Sequence, residues 1–277
     1  MSTPLVSAAW LLAHQQDVRI LDTRFKLGDP DFGRNSYLAG HIPGAAFVDL
    51  ERDLHSPVRP DRVGGRHPLP DPAAISAVFS KLGLTNSDHI VAYDDPSTGM
   101  GFYAAHLWWL FGYLDHGNVS VLDGGLPAWL AAGGRQERNQ PTQTESNFAI
   151  NVRSGMIVDA GDVQARSSTT AIADSRAGER FRGELEPLDW KAGHIPGAVN
   201  KNWADSLTSD GHWKSVPEQE QRFADLRQES EIIVYCGSGV SAGANMLALE
   251  LAGITGAKLY PGSWSDWITD DARPVTK

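Results

Sequence analysis

Short apolar runs alternate along this chain with longer stretches whose apolar residues recur at helical spacing. In the first half, residues 18–22, 46–48, 90–93 and 119–122 form brief β-branched or apolar runs and predict strands. Residues 7–15, 72–82, 102–112 and 127–132 carry the longer period and predict helices. In the second half Glu231-Ile232-Ile233-Val234-Tyr235 predicts a buried strand, and residues 242–251 predict a helix. Strands alternating with helices imply an α/β fold in which a mostly parallel sheet has helices on both faces. Ligands of such sheets gather beyond the carboxyl ends of the strands.

The pattern repeats. Gly-His-Ile-Pro-Gly-Ala occurs at 40–45 and, unchanged, 153 positions later at 193–198. Upstream, Ile20-Leu21-Asp22-Thr23-Arg24 matches Ile172-Ala173-Asp174-Ser175-Arg176. Downstream, Ile90-Val91-Ala92-Tyr93-Asp94 matches Ile232-Ile233-Val234-Tyr235-Cys236. Leu122-Asp123-Gly124-Gly125, closing at Trp129, matches Tyr260-Pro261-Gly262-Ser263, closing at Trp267. Four matches in one order mark a tandem duplication of a unit of roughly 120 residues. The expected domains are 1–135 and 151–277, with the polar, aperiodic stretch 136–150 as linker. The offset drops from 153 to 142 between the second and third matches, so the first repeat carries 11 extra residues, near 57–70. Arg59, Arg62, Arg66 and His67 cluster there among prolines and glycines.

Composition narrows the function classes. Apolar residues make up 41% and charged residues 21%, enough for proper cores. With 24 basic and 34 acidic side chains the net charge is −10, which disfavours nucleic acid and anionic membrane. A small anion remains possible where arginines gather. One cysteine excludes an internal disulfide and a thiolate zinc cluster, and the nine histidines show no metal-ligand spacing. Met1-Ser2-Thr3-Pro4 has no basic side chain and no cleavage pattern follows, so the expected location is the cytoplasm.

That cysteine, Cys236, stands at the end of the 231–235 strand, before Gly237-Ser238-Gly239-Val240-Ser241 and a helix. Strand, glycine-bearing loop and helix aim backbone N–H groups at one atom and stabilise an anion there. A nucleophile is the expectation, and such a thiol should be open to a donor. The first repeat has Asp94 at the matching strand end, followed by a longer loop, Asp95-Pro96-Ser97-Thr98-Gly99-Met100. It is therefore expected to serve as scaffold.

These residues together resemble the two-domain rhodanese-like sulfurtransferases, over nearly the whole chain. The resemblance implies two tandem rhodanese-like domains, the second catalytic. Within that family, Cys236-Gly237-Ser238-Gly239-Val240-Ser241 resembles the loop of the 3-mercaptopyruvate sulfurtransferases, with Ser241 where those have threonine. Thiosulfate-using members carry basic residues after the cysteine. The sorting is physically sensible: thiosulfate is a dianion that wants cations beside the thiol, and Gly237 and Gly239 supply none. A donor whose charge lies further off, on a carboxylate, suits this loop better.

The resemblance also implies roles. Ser238 and His67, in His67-Pro68-Leu69-Pro70, match a serine–histidine relay whose acid falls near Glu51, with Asp49 two residues before. Both acids would share a face if that segment were extended. Arg180 matches the arginine that binds the donor carboxylate. The second substrate arginine of the family falls on Leu188, so Arg59, Arg62 or Arg66 would have to compensate, or the donor differs. Val240 and Ser241 complete the expected donor pocket. His41, His194 and the pairs Asp22/Arg24 and Asp174/Arg176 read as structural. The implied reaction moves sulfur from 3-mercaptopyruvate through a Cys236 persulfide to cyanide, a small thiol or thioredoxin, without metal or organic cofactor. Thiosulfate as donor is the alternative. A cysteine phosphatase would need an arginine just past the loop, where Ala242 stands. A non-catalytic sulfur carrier is the third reading.

Overall fold

The computed structural model describes residues 3–98 and 101–277; Gly99 and Met100, which end the loop after Asp94, lie outside the described residues, as do Met1 and Ser2. The chain divides into two compact units that are not contiguous in sequence. The first comprises Met1–His55, Pro70–Arg153 and Thr208–Trp213; the second comprises Ser56–Leu69, Ser154–Leu207 and Lys214–Lys277. The arginine-rich insertion of the first repeat thus belongs to the second unit.

The first unit is a five-stranded sheet of β1 (Leu5–Val6), β2 (Arg19–Asp22), β3 (Ala46–Phe47), β4 (Ile90–Tyr93) and β5 (Val119–Leu122). Its order is β1-β5-β4-β2-β3 and every pairing is parallel. Its helices are α1 (Ala8–His14), α2 (Phe32–Ala39), α3 (Leu50–Asp53), α4 (Pro72–Lys81), α5 (Tyr103–Tyr113) and α6 (Gly125–Ala131). Ser7 and Asp71 cap α1 and α4 with their side chains, and Pro72 sits in the first turn of α4. Leu11, Ile20, Val91, Tyr93, Leu122 and Trp129 share one core, each large apolar side chain contributing about 1.5–3 kcal/mol of burial. The polar stretch after Arg135 is tied to this unit, with Phe148 buried against Phe79 and Phe111.

The second unit repeats the plan with β6 (Thr170–Asp174), β7 (Ala198–Asn200), β8 (Glu231–Tyr235) and β9 (Lys258–Leu259) in the order β7-β6-β8-β9, again all parallel. Where the first sheet has β1 beside β5, a single parallel bridge, Ile157 to Leu259, holds the corresponding edge. The helices are α7 (Ala160–Ala165), α8 (Gly178–Phe181), α9 (Val216–Arg222), α10 (Ala242–Leu251) and α11 (Ser263–Trp267). Ile172, Ile195, Ile233, Tyr235, Trp264 and Trp267 fill its core.

The duplicated motifs do the same job twice. Arg24 forks onto Asp22 and donates to the Gly40 carbonyl at 2.8 Å; Arg176 forks onto Asp174 and donates to the Gly193 carbonyl at 2.7 Å. These charges are buried, so pairing and hydrogen bonding offset their desolvation. His41 and His194 bond the carbonyls of Tyr37 and Phe181 through Nδ1, and each ring stacks on that residue's ring. Among the described residues no helix is long and apolar enough to cross a membrane.

Candidate active site

Cys236 immediately follows β8, whose buried side chains fix the strand and therefore its end. The Gly239 N–H donates to Cys236 Sγ at 3.1 Å, the one backbone donor to that sulfur among the described residues. Gly239 has φ of +86°, and a Cβ there would lie 2.4 Å from the Pro261 carbonyl oxygen, so the tight return of the loop requires glycine. Val240 is buried behind it, and Ser241 is the N-cap of α10. The positive end of α10 therefore faces the loop.

The Cys236 backbone is held from α11. Its N–H donates to Ser263 Oγ at 3.1 Å, and its carbonyl accepts the Trp264 N–H at 3.0 Å. Ser263 has φ of +54°, matching +55° at Gly125 in the first repeat. A left-handed serine costs about 1–2 kcal/mol, and its hydroxyl bonds, to Cys236 N and the Tyr260 carbonyl, are what the strain maintains. Sequence reasoning missed Ser263, although its alignment with Gly125 was the available signal.

Two guanidinium groups converge over Gly237. A Cβ on Gly237 would lie 3.0 Å from Arg66 Nη2 and 3.3 Å from each terminal nitrogen of Arg180. Arg180 is held from behind: Nε and Nη2 donate to both Glu186 oxygens at 2.7–3.2 Å, and Nη2 reaches Asp189 at 3.3 Å. Arg66 Nη1 donates to the other oxygen of Asp189. Glu186 also accepts from Arg176, so charges alternate in an unbroken ladder from Asp174 to Arg66. Glu186 and Asp189 were not expected; acids three apart on either side of Leu188 were the overlooked sign. Arg59 instead pairs with Asp61 in an exposed bridge, and Arg62 lies over the Trp190 ring. Leu188 is exposed.

Arg66 and His67 are placed by the inserted loop. The Gly64 N–H donates to Asp266 at 2.8 Å and the Arg66 N–H to Ser265 Oγ at 3.1 Å, both on α11. His67 Nδ1 then meets Ser238 Oγ at 2.7 Å. Burial, reinforced by the Arg66 charge, pushes the imidazole down to about 4. The ring is neutral at neutral pH. With its proton on Nε2 it accepts the Ser238 hydroxyl at Nδ1.

Two expectations need correction. The segment holding Asp49 and Glu51 is not extended: it turns helical at Leu50, Asp49 caps α3 by accepting the Glu51 and Arg52 N–H groups, and the shared-face argument fails. Both acids belong to the first unit. Nor is the thiol open: Cys236 is only 2% exposed, with the less buried Arg66 and Arg180 above the neighbouring Gly237. At the matching strand end of the first unit, Asp94 is buried and accepts the Ala104 N–H at 3.1 Å; burial pushes its carboxyl up to about 7. The carboxyl thus accepts from the first turn of α5, at the position where the second unit has its thiol.

The family model described as rhodanese-like domain matches residues 7–132 and again 159–270. The chain is 45% identical over 284 residues to the probable 3-mercaptopyruvate sulfurtransferase of Pseudomonas aeruginosa, covering 98% of this chain and 99% of the relative. It is 39% identical over 279 residues to a putative thiosulfate sulfurtransferase of Mycobacterium tuberculosis, covering 98% and 96%. Its fold is similar to the crystal structure of a 3-mercaptopyruvate sulfotransferase from Escherichia coli, with a TM-score of 0.83 and 32% identity over 95% of this chain and 100% of that one.

Proposed function

The chain belongs to the rhodanese-like sulfurtransferases, and from that premise we propose that it takes sulfur from 3-mercaptopyruvate onto Cys236 and passes it to a thiophilic acceptor. The observation that carries this reading is the convergence of Arg66 Nη2 and Arg180 Nη1 over Gly237, beside the cysteine. The two nitrogens present donors for a carboxylate one residue from the nucleophile. In this reading Arg66 takes the role that position 188 leaves to leucine.

The chemistry balances as follows. The Cys236 thiolate attacks the donor sulfur and an S–S bond forms as the donor C–S bond breaks. The electron pair leaves on carbon as the enolate of pyruvate, which takes a proton by way of Ser238 and neutral His67. The persulfide is held by the Gly239 N–H and the N-terminal end of α10. An acceptor, such as cyanide, a small thiol or reduced thioredoxin, then takes the outer sulfur and restores the thiolate. With no second cysteine in the chain, the resolving thiol comes from outside, which suits a reducing cytoplasm. Cys236 is buried, and Arg66 and Arg180 beside the neighbouring Gly237 are the groups a donor carboxylate would meet.

Thiosulfate is the rival donor, favoured by the relatives that carry its name. Steady-state turnover on both donors with cyanide as acceptor decides between them. A higher kcat/KM on 3-mercaptopyruvate is expected; a clear preference for thiosulfate would reject the proposed donor.

A further inference from the structure

We infer that Asp189 is a specificity residue: it fixes Arg66 and Arg180 in one clamp and completes the charge balance of the ion-pair ladder that holds them, so that the site accepts a monoanionic donor and disfavours a dianion. The inference rests on the donor reading above and adds a mechanism of selection to it.

Three observations carry it. First, the Asp189 side chain is completely buried and each of its oxygens serves a different arginine, Oδ1 accepting from Arg66 and Oδ2 from Arg180. A carboxylate shared in this way sets the spacing of the two guanidiniums. Second, Glu186 and Asp189 take their bonds from Arg66 Nη1 and from Arg180 Nε and Nη2, so that Arg66 Nη2 and Arg180 Nη1, both near Gly237, donate to no carboxylate among the described residues. Third, the ladder Asp174, Arg176, Glu186, Arg180, Asp189, Arg66 holds three acids and three arginines and so is neutral as a whole. The clamp therefore offers directed hydrogen bonds without surplus positive charge. One carboxylate gains the bonds at little cost. A dianion such as thiosulfate brings a second charge that nothing in the ladder balances, close to an anionic thiolate. Geometry alone would not discriminate the two donors; the buried acid does.

The test is Asp189→Asn, which keeps the shape and one acceptor but leaves the ladder with one net positive charge. The thiosulfate to 3-mercaptopyruvate ratio of kcat/KM should rise roughly tenfold, the scale of one unit charge acting through half-buried protein on one extra substrate charge. Adding Arg66→Gln restores neutrality, and the ratio should fall back toward wild type even though both rates drop. A purely structural role for Asp189 would lower both donors together and would not be rescued by the second change. If Asp189→Asn does not fold, Glu186→Gln removes an acid from the next rung and should raise the ratio in the same direction by a smaller factor. A ratio within twofold of wild type in the folded variant, or one that stays raised in the double variant, overturns the inference. Those results leave the donor reading standing, whereas a wild-type enzyme that ignores 3-mercaptopyruvate would end both.

Discussion

Replacing Arg180 by leucine tests the clamp at its better-anchored arm. In the wild type, four contacts of 2.7–3.2 Å tie Arg180 to Glu186 and a fifth reaches Asp189 at 3.3 Å. Leucine keeps part of the apolar stem and removes every one of these, together with the Nη1 donor facing Gly237. A charge-assisted hydrogen bond to a substrate carboxylate is worth about 1.5–3 kcal/mol, so kcat/KM on 3-mercaptopyruvate should fall roughly tenfold to 150-fold. Because the bond forms with the bound donor before and during reaction, most of the loss should enter KM. The fold should survive, because Glu186 keeps Arg176 and Asp189 keeps Arg66. The remaining imbalance of a buried acid should cost about 1–3 kcal/mol in a urea titration. The assay is initial-rate kinetics of pyruvate release, with cyanide in excess and the donor varied. An Arg180→Leu enzyme within twofold of wild type on 3-mercaptopyruvate would refute the clamp, whatever its stability.

Three further outcomes are expected. His67 is held neutral, so its contribution to stability is complete above its unfolded value of 6.5 and is lost as pH falls toward about 4; the gap corresponds to roughly 3 kcal/mol at most. Urea titrations at pH 7 and pH 4.5 should therefore show wild type losing more stability than His67→Asn; equal losses would contradict the neutral buried ring. Asp94 runs the other way, since its raised value means the folded state prefers the protonated carboxyl and loses stability as pH rises through about 7. Asp94→Asn should thus gain stability over wild type at pH 8 relative to pH 5, read from the shift in Tm, and a gain that is larger at pH 5 would be the wrong sign. Gly239→Ala forces a left-handed alanine against the Pro261 carbonyl, which should destabilise the protein by about 1–3 kcal/mol and lower kcat more than it raises KM; an active, stable variant would show that the loop return is not needed.

The α/β pattern was readable because the duplicated strands are dense β-branched runs. The strands at 90–93, 119–122 and 231–235 and the helix at 242–251 fall where the periodicity puts them. The elements that escaped are those with weak signals. β1 has two residues, α3 has a single turn, and α2 (Phe-Gly-Arg-Asn-Ser-Tyr-Leu-Ala) is poor in helix formers and is held by packing of Gly33 and Tyr37. The cysteine loop was legible because it is local: strand, glycines and helix are contiguous. The carboxylates behind the arginines were not. Asp189 and Glu186 read as ordinary surface acids until the fold lays the 56–69 insertion of the first repeat onto the second unit. Nothing in hydrophobic periodicity encodes that exchange, and it is the exchange that makes Arg66 and His67 neighbours of Cys236-Gly237-Ser238.

The most direct test of sulfur transfer through Cys236 is intact-protein and peptide mass spectrometry after one exposure to 3-mercaptopyruvate with no acceptor present. The account predicts a gain of one sulfur atom, located on the Cys236 peptide, absent from Cys236→Ser and discharged by cyanide. Pyruvate release from a protein whose Cys236 stays unmodified, or sulfur transfer that persists in Cys236→Ser, would contradict it.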